Sequence, residues 1–474
     1  MTLTDGAGLP SVTRLLLATV LGFAPALVLA QDGGPSKGGQ GKGRDTRVVN
    51  PDQAVAIALG RSGKVTEAEG KVEQWQGRLA EVRSVFYPKL SGIGYVAPMF
   101  RVHDKPDLQT APDVDRDFGQ WGPYLHLQAV LAQPLYTFGR VAAGTRAAAG
   151  RVEVEKASLA LTRNLLAFEV RRFYYIHLYA RSMRPALEST REILDKAQSR
   201  ADEEYADNTG KVTNVDIQKL AYASAELDKY RIQAEIGEDL ALAALKHTMG
   251  LPESEALAIA DEFLPEPPDT LPSLASLLKL ASERRPEWAQ IKNGKQAALS
   301  LEQAERLANA PVVFAGGQLY ADWTPMRPDV KNPYAYDPYN QIFGGIALGL
   351  LFDLDPAKAH AKASEARALQ KQIEGLEAFA RTGIPMDVRR AHDEALQAKR
   401  VAAVASKGSV AARKWMIFAG AAFSTGTGEA RDLLEGLAAY LQAKRDHYEN
   451  LQNMQIALAQ LLYVTGRTGT ADDE

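Results

Sequence analysis

The chain has 474 residues, 55 Lys and Arg against 58 Asp and Glu for a formal net charge of -3, and no cysteine. The missing cysteines exclude disulfides, thiolate metal centres, thiol nucleophiles and a lipid carried on a mature N-terminal cysteine. A charge this close to zero, without a long basic run, does not point to nucleic acid or an anionic surface as a partner.

Residues 1–30 combine Arg14, an apolar run from Leu15 to Leu29 and small residues ahead of Gln31, the layout of a signal peptide cleaved after Ala30. The run is shorter than the roughly 20 residues that span a bilayer. Residues 31–47 are rich in Gly, Lys and Ser and read as a flexible linker, because they cannot bury enough apolar surface to offset ordering. Nothing further along reads as a membrane helix, so a membrane role would need strands.

An internal repeat organises the rest. Gly139, Asp216 and Gly250 recur as Asp355, Asp432 and Gly466, each 216 positions on. Glu169-Val170-Arg171-Arg172 recurs as Asp387-Val388-Arg389-Arg390 at 218, and Arg83 with Pro88 as Arg306 with Pro311 at 223. A period this long indicates duplication. The first copy spans 48–250, a connecting segment 251–285, the second copy 286–467 and a flexible tail 468–474.

In the first copy a helix from about Pro51 to Phe86 should stop before Pro88, since proline cannot continue it. Strands follow at about 90–97 and 123–136, separated by a Pro- and Asp-rich loop from Met99 to Trp121. In the second strand Leu125, Leu127, Ala129 and Leu131 alternate with Tyr124, His126, Gln128 and Val130, the apolar-out, polar-in pattern of a membrane barrel. Residues 139–206 then turn helical, with Val152, Leu159, Leu166, Phe173, Ala180, Leu187 and Leu194 at heptad spacing, a coiled-coil seam. At 1.5 Å per residue such a helix is about 100 Å long, far more than a globular core needs. A helix at 215–250 returns.

The second copy repeats this order. A helix from about Pro286 to Ala310 leads to strands at 312–321 and 341–352 around a loop from Trp323 to Gln341. A long helix at 357–420 and a returning helix at 430–465 follow, the latter with Leu434, Leu437, Leu441, Tyr448, Leu451, Leu458 and Leu462 as a packed stripe. Its strand alternation, Ile346, Leu348 and Leu350 against Ala347, Gly349 and Leu351, is less polar on the inner side. Pro185 and Pro385 lie inside the long helices, where proline kinks. Tyr95, Trp121, Tyr124, Tyr136, Tyr320, Trp323 and Phe343 fall near strand ends, as interface aromatics or ordinary strand residues.

The fold class is therefore mainly α with a small β part: a duplicated unit of long coiled-coil helices plus four strands. Four strands cannot close a membrane barrel, whose smallest form has eight, and an open edge in lipid is costly. Several chains must share one barrel. Three would give twelve strands with the helices continuing as a hollow bundle, although counting alone allows other multiples.

Several segments resemble the TolC family of outer-membrane efflux proteins. They are Ala80 to Leu90 (AEVRSVFYPKL), Gln133 to Arg140 (QPLYTFGR), Leu351-Phe352-Asp353 and Gly210 to Asp216 (GKVTNVD), in order, duplicated and spanning about Pro51 to Arg467. The resemblance implies a homotrimer with a 12-stranded β-barrel in outer-membrane lipid and an α-helical tunnel in the periplasm. It implies passive conduction, with a periplasmic adaptor protein and an inner-membrane transporter as partners, in efflux or type I secretion. It also places adaptor contacts and a closable aperture at the periplasmic turns, here Tyr205 to Asp216 and Ala421 to Asp432.

Candidate aperture residues are then Asp202, Glu203, Asp207, Glu429 and Asp432, which symmetry would repeat as rings that favour cations. Each could instead be a solvated charge at a helix end. Candidate adaptor-contact positions are Gly210, Thr213, Asp216, Gly426 and Gly428; for Thr213 and Asp216 the competing role is a helix capping box. A soluble periplasmic coiled-coil adaptor or holdase would explain the leader and the heptads but not two strand pairs. An enzyme finds little support: the seven histidines stand singly, and Asp353 and Asp355 sit where a strand hands over to a helix before Pro356. No catalytic residue, metal site or cofactor is expected.

Overall fold

The computed structural model describes residues 47–103, 114–207, 212–327 and 338–470. The signal-peptide and linker readings therefore lie outside the described residues, except at Arg47. That residue belongs to a strand, not a linker: β1 (Arg47–Val49) pairs in parallel with β4 (Leu257–Ile259).

The remaining elements of the first copy are α1 (Pro51–Arg61), α2 (Gly63–Arg83), β2 (Lys89–His103), β3 (Asp115–Tyr136), α3 (Arg140–Ala206) and α4 (Asn214–Thr248). Those of the second are α5 (Leu274–Arg284), α6 (Pro286–Arg306), β5 (Val312–Trp323), β6 (Gln341–Leu351), α7 (Pro356–Ser424) and α8 (Ala430–Val464). The protein is mainly helical, with one four-stranded antiparallel sheet in the order β2-β3-β5-β6.

Two expectations need correction. The opening helix is not continuous, since Ser62 takes an extended backbone (ψ 129°) that separates α1 from α2. Its counterpart is the break at Arg285 (ψ 124°) between α5 and α6. The second copy thus starts at Leu274 and not at Pro286: α1 and α5 begin 223 positions apart (51 and 274), as do α2 and α6 (63 and 286). The loop read from Met99 to Trp121 is also strand at both of its ends, because Met99, Phe100, Arg101 and Val102 pair with Gly122, Trp121, Asp117 and Arg116, while 104–113 lie outside the described residues. Phe100, Phe118 and Trp121 pack on one another there, and the Trp121 indole N–H donates to the Phe118 carbonyl at 2.8 Å. Aromatic packing outweighs the local turn composition.

The duplication explains why the helices break. At the end of α4 the Gly250 and Leu251 amides donate to the His247 and Lys246 carbonyls, and at the end of α8 the Gly466 and Arg467 amides donate to those of Tyr463 and Leu462. Both glycines are left-handed, with φ 69° and 75°. This glycine-terminated cap satisfies the last helical carbonyls. Each glycine is also pressed against a helix break: a Cβ would lie 2.5 Å from the Arg61 oxygen at Gly250 and 2.6 Å from the Arg284 oxygen at Gly466. Equivalent residues fill equivalent cores, Ala58, Val170 and Leu245 in one and Ala281, Val388 and Leu461 in the other.

The sheet continues directly into the helices. β2 is entered from α2, β3 leaves into α3, β5 is entered from α6 and β6 leaves into α7. Neighbouring helices pack in the order α2-α3-α6-α7, the order of their strands. Farther from the sheet the order is α4-α3-α8-α7. Among the described residues, the outermost helices of each layer, α2 and α7 in one and α4 and α7 in the other, have a helix neighbour within the layer on one side only.

Along α3, Val152, Leu166, Ala180, Leu187 and Leu194 are buried. The helix is assigned without interruption through Pro185, as α7 is through Pro385, and α7 extends to Ser424. Nor is the tail loose where it is described: buried Arg171 donates to the Thr468 carbonyl, the Gly469 carbonyl (3.0 Å) and the Asp52 carboxylate (2.9 Å).

The two capping glycines set a stability test. Gly250→Ala and Gly466→Ala should each destabilise the fold by more than about 1–2 kcal/mol, the ordinary cost of a left-handed alanine, because the new methyl also meets backbone. Gly237→Ala, in α4 with nothing within 4 Å of its Cβ, should stabilise by about 0.5–1 kcal/mol. Urea unfolding midpoints of the three variants check both signs.

Candidate functional site

The register assigns every strand residue to one of two faces. On one face lie Leu90 and Val96 of β2, Leu125, Leu127 and Leu131 of β3, Leu319 and Trp323 of β5, and Ile342, Ile346, Leu348 and Leu350 of β6. All are exposed in the single chain, Ile346 to 94%. Such a contiguous apolar surface is uncommon on a soluble protein.

The other face is polar. His126 pairs with Asp322 across the β3–β5 seam, where the two repeats meet. His126 Nδ1 lies 2.6 Å from Asp322 Oδ1, and the Tyr124 hydroxyl donates to the same oxygen at 2.5 Å. The Tyr95 ring stacks on the imidazole with centroids 4.8 Å apart. Below, Gln128 Nε2 donates to the Tyr320 hydroxyl, which donates to Gln318 Oε1. Tyr95, Tyr124, Tyr320 and Phe343 therefore share the polar face with His126, and only Trp121, Tyr136 and Trp323 of the seven strand aromatics lie elsewhere. In the second copy the polar side chains of this face are Gln318, Tyr320 and Asp322 of β5 and Gln341 of β6.

At the far ends of the long helices the two turns share one core, built from Ala201, Val212, Phe423, Ala430 and Leu433. Asp202, Glu203 and Asp207 are exposed near the end of α3, as are Glu429 and Asp432 at the start of α8. Asp202 accepts from Gln198 Nε2 at 3.1 Å, and Glu203 lies 3.8 Å from Arg200. Glu203 also lines a crevice of about 430 Å³ with Ser424 of α7. Asp207 caps the α3 C-terminus through its amide, and Glu429 is the first residue ahead of α8 without bonding its side chain there. The fold thus brings these carboxylates to one end, each exposed.

The turn residues have clear local tasks. Thr213 and Asp216 form a reciprocal capping box: the Asp216 amide donates to Thr213 Oγ1 at 3.3 Å, and the Thr213 amide to Asp216 Oδ2 at 3.2 Å. The Thr213 hydroxyl donates to that carboxylate at 2.6 Å and holds the Asp216 carboxyl below the usual carboxylate range. Gly426 (φ 72°) ends α7 in the same type of cap, with its amide on the Phe423 carbonyl and the Thr427 amide on that of Ala422. At Gly428 a Cβ would sit 2.8 Å from the Ala422 methyl. Gly210 lies outside the described residues.

Beside the first turn, α3, α4 and α8 enclose an apolar groove of about 1110 Å³, with Leu187 and Leu194 in α3, Leu227 and Tyr230 in α4, and Leu437 and Leu441 in α8. Among the described residues no cluster of three metal-ligating side chains is present, and no helix is long and apolar enough to cross a membrane. Asp355 caps α7 by accepting from the Lys358 amide at 3.0 Å.

His126, Asp322 and Tyr124 form the cluster that the site reading of the sequence did not single out. The available signal was their isolation: from Leu90 to Phe100, Gly122 to Tyr136, Val312 to Trp323 and Gln341 to Leu351, Asp322 is the one charged residue and His126 the one histidine.

No family model matches the sequence, and no curated protein matches it. Solved structures do match in fold. The outer membrane protein VceC of Vibrio cholerae aligns with a TM-score of 0.68 at 13% identity, over 88% of this chain and 96% of that one. The CmeC outer membrane channel of Campylobacter jejuni gives 0.67 at 14%, over 90% and 87%. The open state of the MtrE outer membrane channel of Neisseria gonorrhoeae gives 0.64 at 16%, over 90% and 91%. The last two are outer membrane channels and the first an outer membrane protein, and this chain shares their fold.

The capping box makes the first turn sensitive to acid. A carboxyl with a depressed pKa stabilises fully above its unfolded value, about 3.9, and that contribution is lost as pH falls through the lower folded value. Thr213→Ala should weaken the start of α4 by about 0.5–2 kcal/mol. Amide exchange of residues 214–217 at pH 5 should rise in Thr213→Ala, and in the parent the same amides should lose protection at pH 3 relative to the middle of α4.

Proposed function

We propose that the chain is an outer-membrane exit duct that conducts substrates passively from the periplasm to the exterior, as one component of a tripartite efflux or type I secretion assembly. The observation that carries this reading is the sheet: four strands with one apolar exposed face, one polar face and two open edges, β2 and β6, feeding four helices in matching order. In hydrocarbon an unpaired backbone group costs several kcal/mol. An apolar sheet with free edges therefore needs further copies of itself, β6 of one beside β2 of the next.

Three copies close twelve strands, and α7 of one copy then meets α4 of its neighbour. The unpaired faces of these helices are suited to that contact, with Tyr222, Ile232, Ile236 and Leu240 exposed on α4 and Val404, Val410, Ile417 and Phe418 on α7. The likeness to outer-membrane channels supports the trimer, the outer-membrane location and a helical tunnel in the periplasm. A periplasmic adaptor and an inner-membrane transporter would supply cargo and energy at the turns around Thr213, Asp216, Gly426 and Gly428, with Gly210 in the first turn. The exposed Asp202, Glu203, Asp207, Glu429 and Asp432 would line the aperture.

Two measurements test the reading. Ile346→Arg places a charge on the apolar face, at a cost of about 2–4 kcal/mol near a bilayer midplane; it should abolish the trimer in mild detergent, whereas Gln318→Asn on the polar face should retain it. A parent protein recovered as a folded monomer, or in the soluble periplasm, would favour a pore-free coiled-coil protein instead. In planar bilayers Glu429→Gln and Asp432→Asn should lower cation preference. Unchanged conductance and preference would remove both residues from the aperture.

A further inference from the structure

We infer that the His126–Asp322 pair is a selectivity element at the β end of the conduit, making its preference for cations depend on pH. The inference rests on the conduit reading. Its own evidence is the placement of the pair: one carboxylate and one imidazole facing each other at 2.6 Å on the polar face, while the other charged residues of the four strands stand at the start of β2 (Lys89) or where β2 and β3 run on beyond β5 (Arg101, Asp115, Arg116 and Asp117). Ionisable residues at membrane depth are costly, so those present point to function and to a partner.

The surroundings hold the pair in place. Tyr95 of β2 stacks on the imidazole, Tyr124 of β3 donates to the carboxylate, and Tyr320 of β5 lies beside the ring at 6.5 Å. From the segment before β6, Tyr339 packs edge-on against Tyr124 at 5.2 Å and carries the Arg327 guanidinium over its own ring at 4.2 Å. Tyrosines do not ionise in the neutral range, and histidine is the side-chain type that changes charge between about pH 5 and 8. Nδ1–H can donate to Asp322 Oδ1 whether or not Nε2 is protonated. A proton gained or lost at Nε2 therefore changes the net charge of the pair while its hydrogen bond persists.

The sign follows. With a neutral imidazole the pair carries one negative charge, and the assembly repeats it as a ring in the polar wall. With an imidazolium the pair is neutral and the ring vanishes. Carboxylate rings favour cations. Cation preference should therefore be high at alkaline pH and fall on acidification.

The test is the reversal potential of the full-length assembly in planar bilayers under a KCl gradient, at pH 8 and pH 5.5. In the parent the K⁺ to Cl⁻ permeability ratio should fall about twofold or more between the two. His126→Gln, which keeps a donor for Asp322, should hold the high ratio at both pH values. Asp322→Asn should give a low ratio at both. A parent ratio that does not change with pH, or a His126→Gln variant with the parent's pH response, overturns the inference even if conductance is normal. Assembled protein that inserts and conducts nothing overturns the conduit reading itself. Should Asp322→Asn fail to assemble, His126→Gln decides alone.

Discussion

Backbone hydrogen bonding at the sheet edges is the constraint on which the architecture turns. β3 and β5 are paired on both sides, while among the described residues β2 and β6 each have a strand partner on one side only. Water could satisfy their outer backbone groups if the sheet were soluble. The adjoining face, apolar from Leu90 and Leu125 to Ile346 and Leu350, is ill suited to water. On the proposed reading, edges and face meet the same requirement, more copies of the chain in a medium that accepts apolar side chains. The helices inherit it, because each strand is joined to a helix and the strand order becomes the helix order.

Duplication provides the second organising element. The glycines that end α4 and α8 do more than terminate helices, since each lies against the break between a short helix and its successor, at Ser62 and at Arg285. A left-handed C-cap leaves a bare backbone surface, and a bent helix entry fits against it. The repeats are not identical in use, however. Arg171 is buried and clasps the C-terminal segment, whereas its repeat counterpart Arg389 is exposed.

The polar face of the sheet and the helix turns differ in kind. At the turns the acidic residues are exposed, and the best-defined of them, Asp216, serves its own helix start. In the sheet Asp322 is 8% exposed and held by Tyr124, His126 and Gln341. A charge kept out of water by specific contacts is less easily explained by chance than several on a solvated end.

The sequence alone determined what depends on local period and on the repeat. The heptads of α3, the alternation around Leu125 to Leu131, the Thr213 to Asp216 box and the offsets of 216 to 223 positions are all contained in short windows or in two aligned copies. The mainly helical class with four strands followed from them. Tertiary structure decided what depends on partners far away in the chain. Whether Tyr95 or Tyr320 faces lipid or lumen depends on cross-strand register, not on its neighbours in sequence. The helix break at Ser62 reflects Gly250, which presses on it from the end of α4, and the β1–β4 pair joins residues 47 and 257. His126 and Asp322, 196 positions apart, became a pair only when the seam between the repeats closed, because side-chain chemistry shows in sequence while side-chain proximity is set by the fold.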